Sequence, residues 1–175
     1  IFGEYKSPFY KFGDIMFLPK IANDDWKSYI ASRFRDTGKN ISPEVAGYIA
    51  QLVDNHPYYV QQLAQLSWLR CEKDCSAETV DGALESLLDS LNLQFINIMD
   101  SLTEKQRNFL CALSDGVSQL TSEKTLSTYS LGTNGNVRII RNALLKRDIV
   151  DMEGRTVYIQ DPVFKLWIVR QYSIL

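Results

Sequence analysis

The chain has 175 residues and 20.1 kDa, 45% hydrophobic and 23% charged, room for one ordinary domain or two small ones and the wrong balance for a disordered or fibrous polymer. No apolar run approaches the ~20 residues of a membrane helix. No secretory leader opens the chain, and three cysteines make no disulfide framework, so a cytoplasmic protein is expected. The net charge of −2 and the pI near 5.4 argue against wholesale coating of nucleic acid, but residues 1–100 hold nine Lys/Arg against fourteen Asp/Glu and residues 101–175 ten against seven, which hints at two modules, the second able to present a basic patch.

Residues 1–20 read as the end of something upstream, an expectation that Ile1 in place of methionine supports. Turn punctuation at Ser7-Pro8 is followed by a short apolar run, Asp14 to Pro19, that suits a strand better than a helix. From Asn23, taken as an N-cap, Trp26, Tyr29, Ile30 and Phe34 recur at helical spacing, and Thr37-Gly38 supplies a stop. Ser42 as cap and Pro43 at the first helical position start a second helix with Val45, Ile49, Leu52 and Val53 on one face. Asn55-His56-Pro57 breaks it, and Pro57 opens a third helix to about Leu69. A polar link, Glu72-Lys73-Asp74, leads to Ser76, which caps a long helix bearing Val80, Leu84, Leu87, Leu88, Leu91, Phe95 and Met99. Four helices on short loops predict a helical bundle over residues 21–100.

The second module, residues 101–175, opens on a capping box at Thr103 and Gln106. Phe109, Leu110 and Leu113 form the apolar face, and Asp115-Gly116 ends the helix. A short helix from Ser122 to Thr128 and a loop through Gly132 precede a helix expected from Asn136 to Arg147, with Val137, Ile140 and Leu144 inward. Glu153-Gly154-Arg155 between Ile149–Met152 and Val157–Gln160 is a hairpin by its turn chemistry, and Asp161-Pro162 caps a closing helix carrying Phe164, Trp167 and Ile168. Helix, helix, helix, hairpin is the winged helix-turn-helix order. The fold class expected is mainly α: a helical bundle followed by a winged helix with a small β-hairpin.

The stretches Ser7 to Phe12, Asn55-His56-Pro57-Tyr58-Tyr59-Val60-Gln61, and Val157 to Phe164 leading to Trp167 resemble the C-terminal part of prokaryotic, archaeal-type ATPases of the AAA+/STAND assemblage. In that family a P-loop core is followed by a helical lid and then a winged helix. The resemblance implies a parent ATPase using ATP and Mg²⁺ held mostly by residues upstream of this segment, with residues 21–100 as the lid. It also implies that the His56-Pro57 turn approaches nucleotide, the helix N-terminus favouring an anion and the imidazole able to donate; the plainer alternative is a helix break with a surface histidine. Gly38-Lys39 is no P-loop, since the motif's first glycine would fall on Arg33 and Lys39 is followed by Asn40. It reads instead as a capping glycine beside a solvated lysine, and the segment alone should not hydrolyse ATP.

Arg138, Arg141, Asn142 and Lys146 fall opposite Val137, Ile140 and Leu144, and Arg155 sits at the wing tip. That face suits DNA phosphates and base edges, or a protein partner, or an interdomain contact. Two other readings stay open: a stand-alone transcriptional regulator, and a pure interaction module. Cys71 and Cys75 lack the further ligands of a zinc site, and with His56 as the lone histidine no hydrolase triad can be assembled elsewhere. Trp26, Trp68, Trp167 and Phe164 are expected in the core or at the seam between modules.

Overall fold

A computed structural model describes residues 20–172; the strand expected within residues 14–19 lies outside them. Eight α-helices are found among the described residues, with one two-residue parallel pair and one antiparallel hairpin. The mainly helical class, a bundle followed by a winged helix, is as expected.

α1 (Asn23–Asp36) places Trp26, Ile30 and Phe34 inward. Its N-cap is Ala22, not Asn23, and no side chain caps it. Asn23 instead turns its amide across to α2 (Pro43–Leu52), donating to the Gly47 carbonyl at 3.0 Å and to Asn55 Oδ1 at 3.4 Å. α1 ends as anticipated, Gly38 taking φ +76 while the amides of Gly38 and Lys39 return to the carbonyls of Arg35 and Phe34. Lys39 departs from the expectation of a solvated side chain. Its Nζ donates to the Trp68 and Cys71 carbonyls, both at 2.6 Å, and lies 4.1 Å from the centre of the Trp68 ring. The last turn of α3 (Pro57–Arg70) exposes those carbonyls, and the ammonium is the donor that meets them.

β1 (Asn40–Ile41) runs parallel to β2 (Asp74–Cys75), a pairing unmarked by any strand pattern in the sequence. Ser42 and Ser76 cap α2 and α4 (Ala77–Asp100) by accepting from the amides of Val45 and Thr79. The 24-residue α4 buries Val80, Ala83, Leu87 and Leu88 in the bundle, and its last turns carry Phe95 and Met99 onward. α5 (Glu104–Ser114) begins with the capping box, Thr103 and Gln106 bonding reciprocally. α6 (Glu123–Thr128) follows, capped by Ser122.

α7 (Asn134–Leu145) starts two residues before the expected Asn136, because Thr133 Oγ1 accepts from the Asn136 amide and makes Thr133 the cap. Gly132, at φ +86, turns the chain into it; a side chain there would also crowd the side-chain amide of Asn136. β3 (Val150–Glu153) and β4 (Thr156–Ile159) pair antiparallel around Gly154-Arg155. α8 (Pro162–Tyr172) then packs back on α5 and α4. Phe95, Phe164 and Trp167 cluster there with ring centres 5.1–6.1 Å apart, and Trp167 Nε1 donates to Asn92 Oδ1 at 2.9 Å. One continuous hydrophobic core therefore runs from Trp26 in α1 to Ile168 in α8. Trp26, Phe164 and Trp167 lie inside it; Trp68 is half-buried at the surface.

Candidate functional site

The His56 turn is built by backbone strain held from two sides. Asp54 and Asn55 adopt left-handed φ values of 50° and 55°, which costs non-glycine residues about 1 kcal/mol each. Lys20 Nζ donates to the Asp54 carbonyl at 3.3 Å, the Asn23 amide reaches Asn55, and the Asn55 amide donates to Ala50 O at 2.8 Å. Pro57 follows at the first helical position of α3, fully compatible with its fixed φ, and lies exposed. No side chain caps this helix, so its first-turn amides carry the unpaired N–H groups of a helix start.

His56 is half-buried beside Tyr59, ring centres 5.0 Å apart, and its Nδ1 is buried with no hydrogen-bond partner among the described residues. It opens on a cleft of about 310 Å³ that Tyr58, Tyr59, Asp148, Gln160 and Asp161 also line. The last three belong to the winged-helix side of the molecule. The chemistry divides accordingly. The Pro57 side offers N–H groups to an anion, whereas a phosphate entering the cleft would meet the carboxylates of Asp148 and Asp161, a poor fit.

Asp161 makes the junction. Its Oδ1 accepts from the amides of Val163 and Phe164, both at 2.9 Å, capping α8, while Oδ2 accepts from the Tyr59 hydroxyl at 2.6 Å. Burial, and then the carboxylate it donates to, push the Tyr59 phenol well above its ordinary value near 10. The sequence identified Asp161 as a cap but gave no sign of its second partner, 102 residues away. Arg170 adds a surface tie, donating to Glu85 and Asp89 at 2.9 Å each, and Arg147 bonds the Ser101 carbonyl and hydroxyl at 3.3 and 2.6 Å.

On α7 the structure exposes Arg138 and Asn142, and Lys146 is exposed at its C-cap, the helix ending at Leu145 and not at the expected Arg147; Arg155 is exposed at the wing turn. Arg141 is half-buried, its Nε covered and without a partner among the described residues, so it does not stand on the open face with the others. Ile139, which the sequence reading passed over, is 67% exposed in their midst. The periodicity placed Ile140 inward and left its neighbour outward, which was the available signal.

One further feature, a groove, left no sign in the sequence. It has a volume of about 440 Å³ and runs between α1 and α3, lined by Tyr29, Ile30, Phe34, Ala64 and Trp68, with Trp68 Nε1 donating to Thr37 Oγ1 at 2.8 Å. Cys71, Cys75 and Cys111 are all buried free thiols, and no group of three or more metal-ligating side chains is found among the described residues. No helix there is long and apolar enough to cross a membrane.

Residues 93–170 match a family model described as "Probable winged helix domain". The match begins inside α4, so the family unit takes in the helical turns that carry Phe95 and Met99 as well as α5 to α8. No curated protein matches the chain by sequence. Its fold is similar to that of the Walker-type ATPase PABY2304 of Pyrococcus abyssi, with a TM-score of 0.69 at 17% identity. The similarity covers 94% of this chain and 47% of that one, so the chain spans about half the length of its structural neighbour.

Proposed function

We propose that this chain is the lid and winged-helix output arm of a P-loop ATPase, coupling the nucleotide state of a core on the same polypeptide to the recognition face on α7. The observation that carries the reading is the Tyr59–Asp161 hydrogen bond, which ties the first turn of α3 to the cap of α8. The fold shared with a Walker-type ATPase supports it.

In this scheme ATP and Mg²⁺ are held mostly by upstream residues, and the group to be turned over is supplied there. The role of this chain is to close. Pro57 and the first-turn amides of α3 meet the nucleotide, while His56 stays on the flank of that contact, packed on Tyr59. Movement of the turn reaches α8 through Asp161, and the shared core carries it to α7.

The test is ATP hydrolysis by the longer polypeptide that carries a P-loop core ahead of this chain, with residues 1–175 as the control. Turnover by the former and none by the latter is expected, and His56→Ala in the longer protein should weaken nucleotide-dependent closure. Unchanged nucleotide affinity and hydrolysis in that variant would remove His56 from the scheme. Absence of any nucleotide binding by the longer protein would overturn the ATPase reading.

A further inference from the structure

The two most exposed large apolar side chains among the described residues are Leu93, 71% exposed on α4, and Ile139, 67% exposed on α7. Each stands in a helical stripe of one charge sign. On α4, Asp89, Leu93, Asn97 and Asp100 follow one another at spacings of four, four and three residues and are all exposed. Glu85 lies one turn further back; Arg170 is the cation shared by Glu85 and Asp89, and Arg147 sits on Ser101 next to Asp100, so three carboxylates meet two cations and the stripe keeps a net negative charge. On α7, Arg138, Ile139 and Asn142, continued by Lys146 at the C-cap, make the corresponding exposed stripe, and the helix contains no acidic residue.

A DNA duplex is the other obvious occupant of a basic helix in a winged helix, and the available charge argues against it. Arg147 is turned onto Ser101 and Arg141 is half-covered. Three cations remain on the helix and wing: Arg138, Lys146 and Arg155. The wing that would approach the backbone carries Asp151 and Glu153 beside Arg155, while Lys105 and Lys124 on the preceding helices stand next to Glu104 and Glu123. Three phosphate contacts give a salt slope of about −3, against the 6–10 contacts of a typical reader.

We infer that the α7 stripe docks on the α4 stripe of a second copy of this chain, Ile139 and Leu93 forming the apolar centre and Arg138 and Lys146 facing Asp89 and Asp100. Both stripes are exposed within one copy, so neither covers the other. A contact between two different surfaces is heterologous and does not close at two copies. A small contact of this kind is weak and salt-sensitive. The inference rests on the reading of α7 as the recognition face and is independent of the nucleotide half of the proposal.

Sedimentation of the 175-residue chain tests it. In low salt the weight-average mass should rise with concentration and pass that of a dimer; in high salt it should return to 20.1 kDa. Two variants, Arg138→Glu/Ile139→Glu on α7 and the uncharged Leu93→Ser/Asp100→Ser on α4, should each remain monomeric. Mixed one to one, they should form a complex of twice the monomer mass and no larger, because one intact α7 face meets one intact α4 stripe and both outer ends are blocked. Circular dichroism establishes that the variants are folded, and recovery in the mixture shows that each retains its other face. A wild-type chain that stays monomeric at every salt concentration, or a mixture that does not pair, overturns the inference. So does a monomeric chain that binds a short mixed-sequence duplex and loses it on Arg138→Glu, an outcome that assigns α7 to nucleic acid. Failure of ATP turnover in the longer protein leaves every one of these outcomes readable.

Discussion

Tyr59 and Asp161 show how much one carboxylate can organise. Removing the phenol by Tyr59→Phe leaves Asp161 capping α8 but frees its second oxygen, which water can reach; the expected loss is about 1.5 kcal/mol. Asp161→Ala removes the cap and strands a buried hydroxyl together, so about 2–4 kcal/mol is expected, and urea denaturation of the two variants should rank them in that order. The same pair sets an alkaline dependence. Tyr59 and Tyr129 are both raised, Tyr129 to about 12 by burial and then by its bond to Asp115. A phenol that stays protonated longer when folded contributes fully below pH 10. Above that the unfolded state releases the proton first, so stability falls as pH climbs from 10 towards 12. Denaturation at pH 9, 10 and 11 should show the decline, and the Tyr59→Phe/Tyr129→Phe double variant should flatten it.

Cysteine chemistry belongs to the same scale. The Cys75 thiol is pushed up to about 12, first by burial and then by the neighbouring Cys71. The thiolate is the nucleophile, so iodoacetamide at pH 8 should leave Cys75 unmodified in the native chain and alkylate it only after denaturation. Labelling at the native rate of a free thiol would contradict the burial described for it.

Among the elements, starts written within four residues were legible and contacts across the chain were not. Ser42-Pro43, Ser76 and the Thr103–Gln106 box place their helices because the cap and its amide lie three residues apart. Thr103→Ala should therefore cost about 1 kcal/mol, a fall of roughly 2–4 °C in melting temperature. α7 starts two residues ahead of the expected Asn136 because Asn134, Asn136 and Thr133 are all competent caps, and it is the Thr133 hydroxyl that reaches an amide three residues on. Gly132 fixes that start through its left-handed backbone. Gly132→Ala should destabilise by more than about 1 kcal/mol and alter hydrogen exchange first in α7. The β1–β2 pair and the Lys39 contacts, 29 to 34 residues apart, left no periodic trace.

Over the whole molecule, the two modules expected from charge and loop spacing are physically joined. α4 passes from one into the other, Phe95, Phe164 and Trp167 sit in a common core, and Tyr59 and Arg170 bridge the surface. His56 was legible as a candidate from its place before Pro57. Its neighbours Asp148, Gln160 and Asp161 were not, since proximity across about a hundred residues depends on how α8 packs. That packing joins the bundle and the winged helix into one body, and under the proposed function nucleotide moves it as one.

The most direct measurement is hydrogen exchange, with and without nucleotide, on a polypeptide that carries a P-loop core ahead of this chain. Coupling through Asp161 requires protection to change together at the first turn of α3 and at the Val163 and Phe164 amides of α8, and Tyr59→Phe to keep the first change while diminishing the second. A nucleotide response confined to α3 in the wild-type protein, with α8 unaltered, would contradict it.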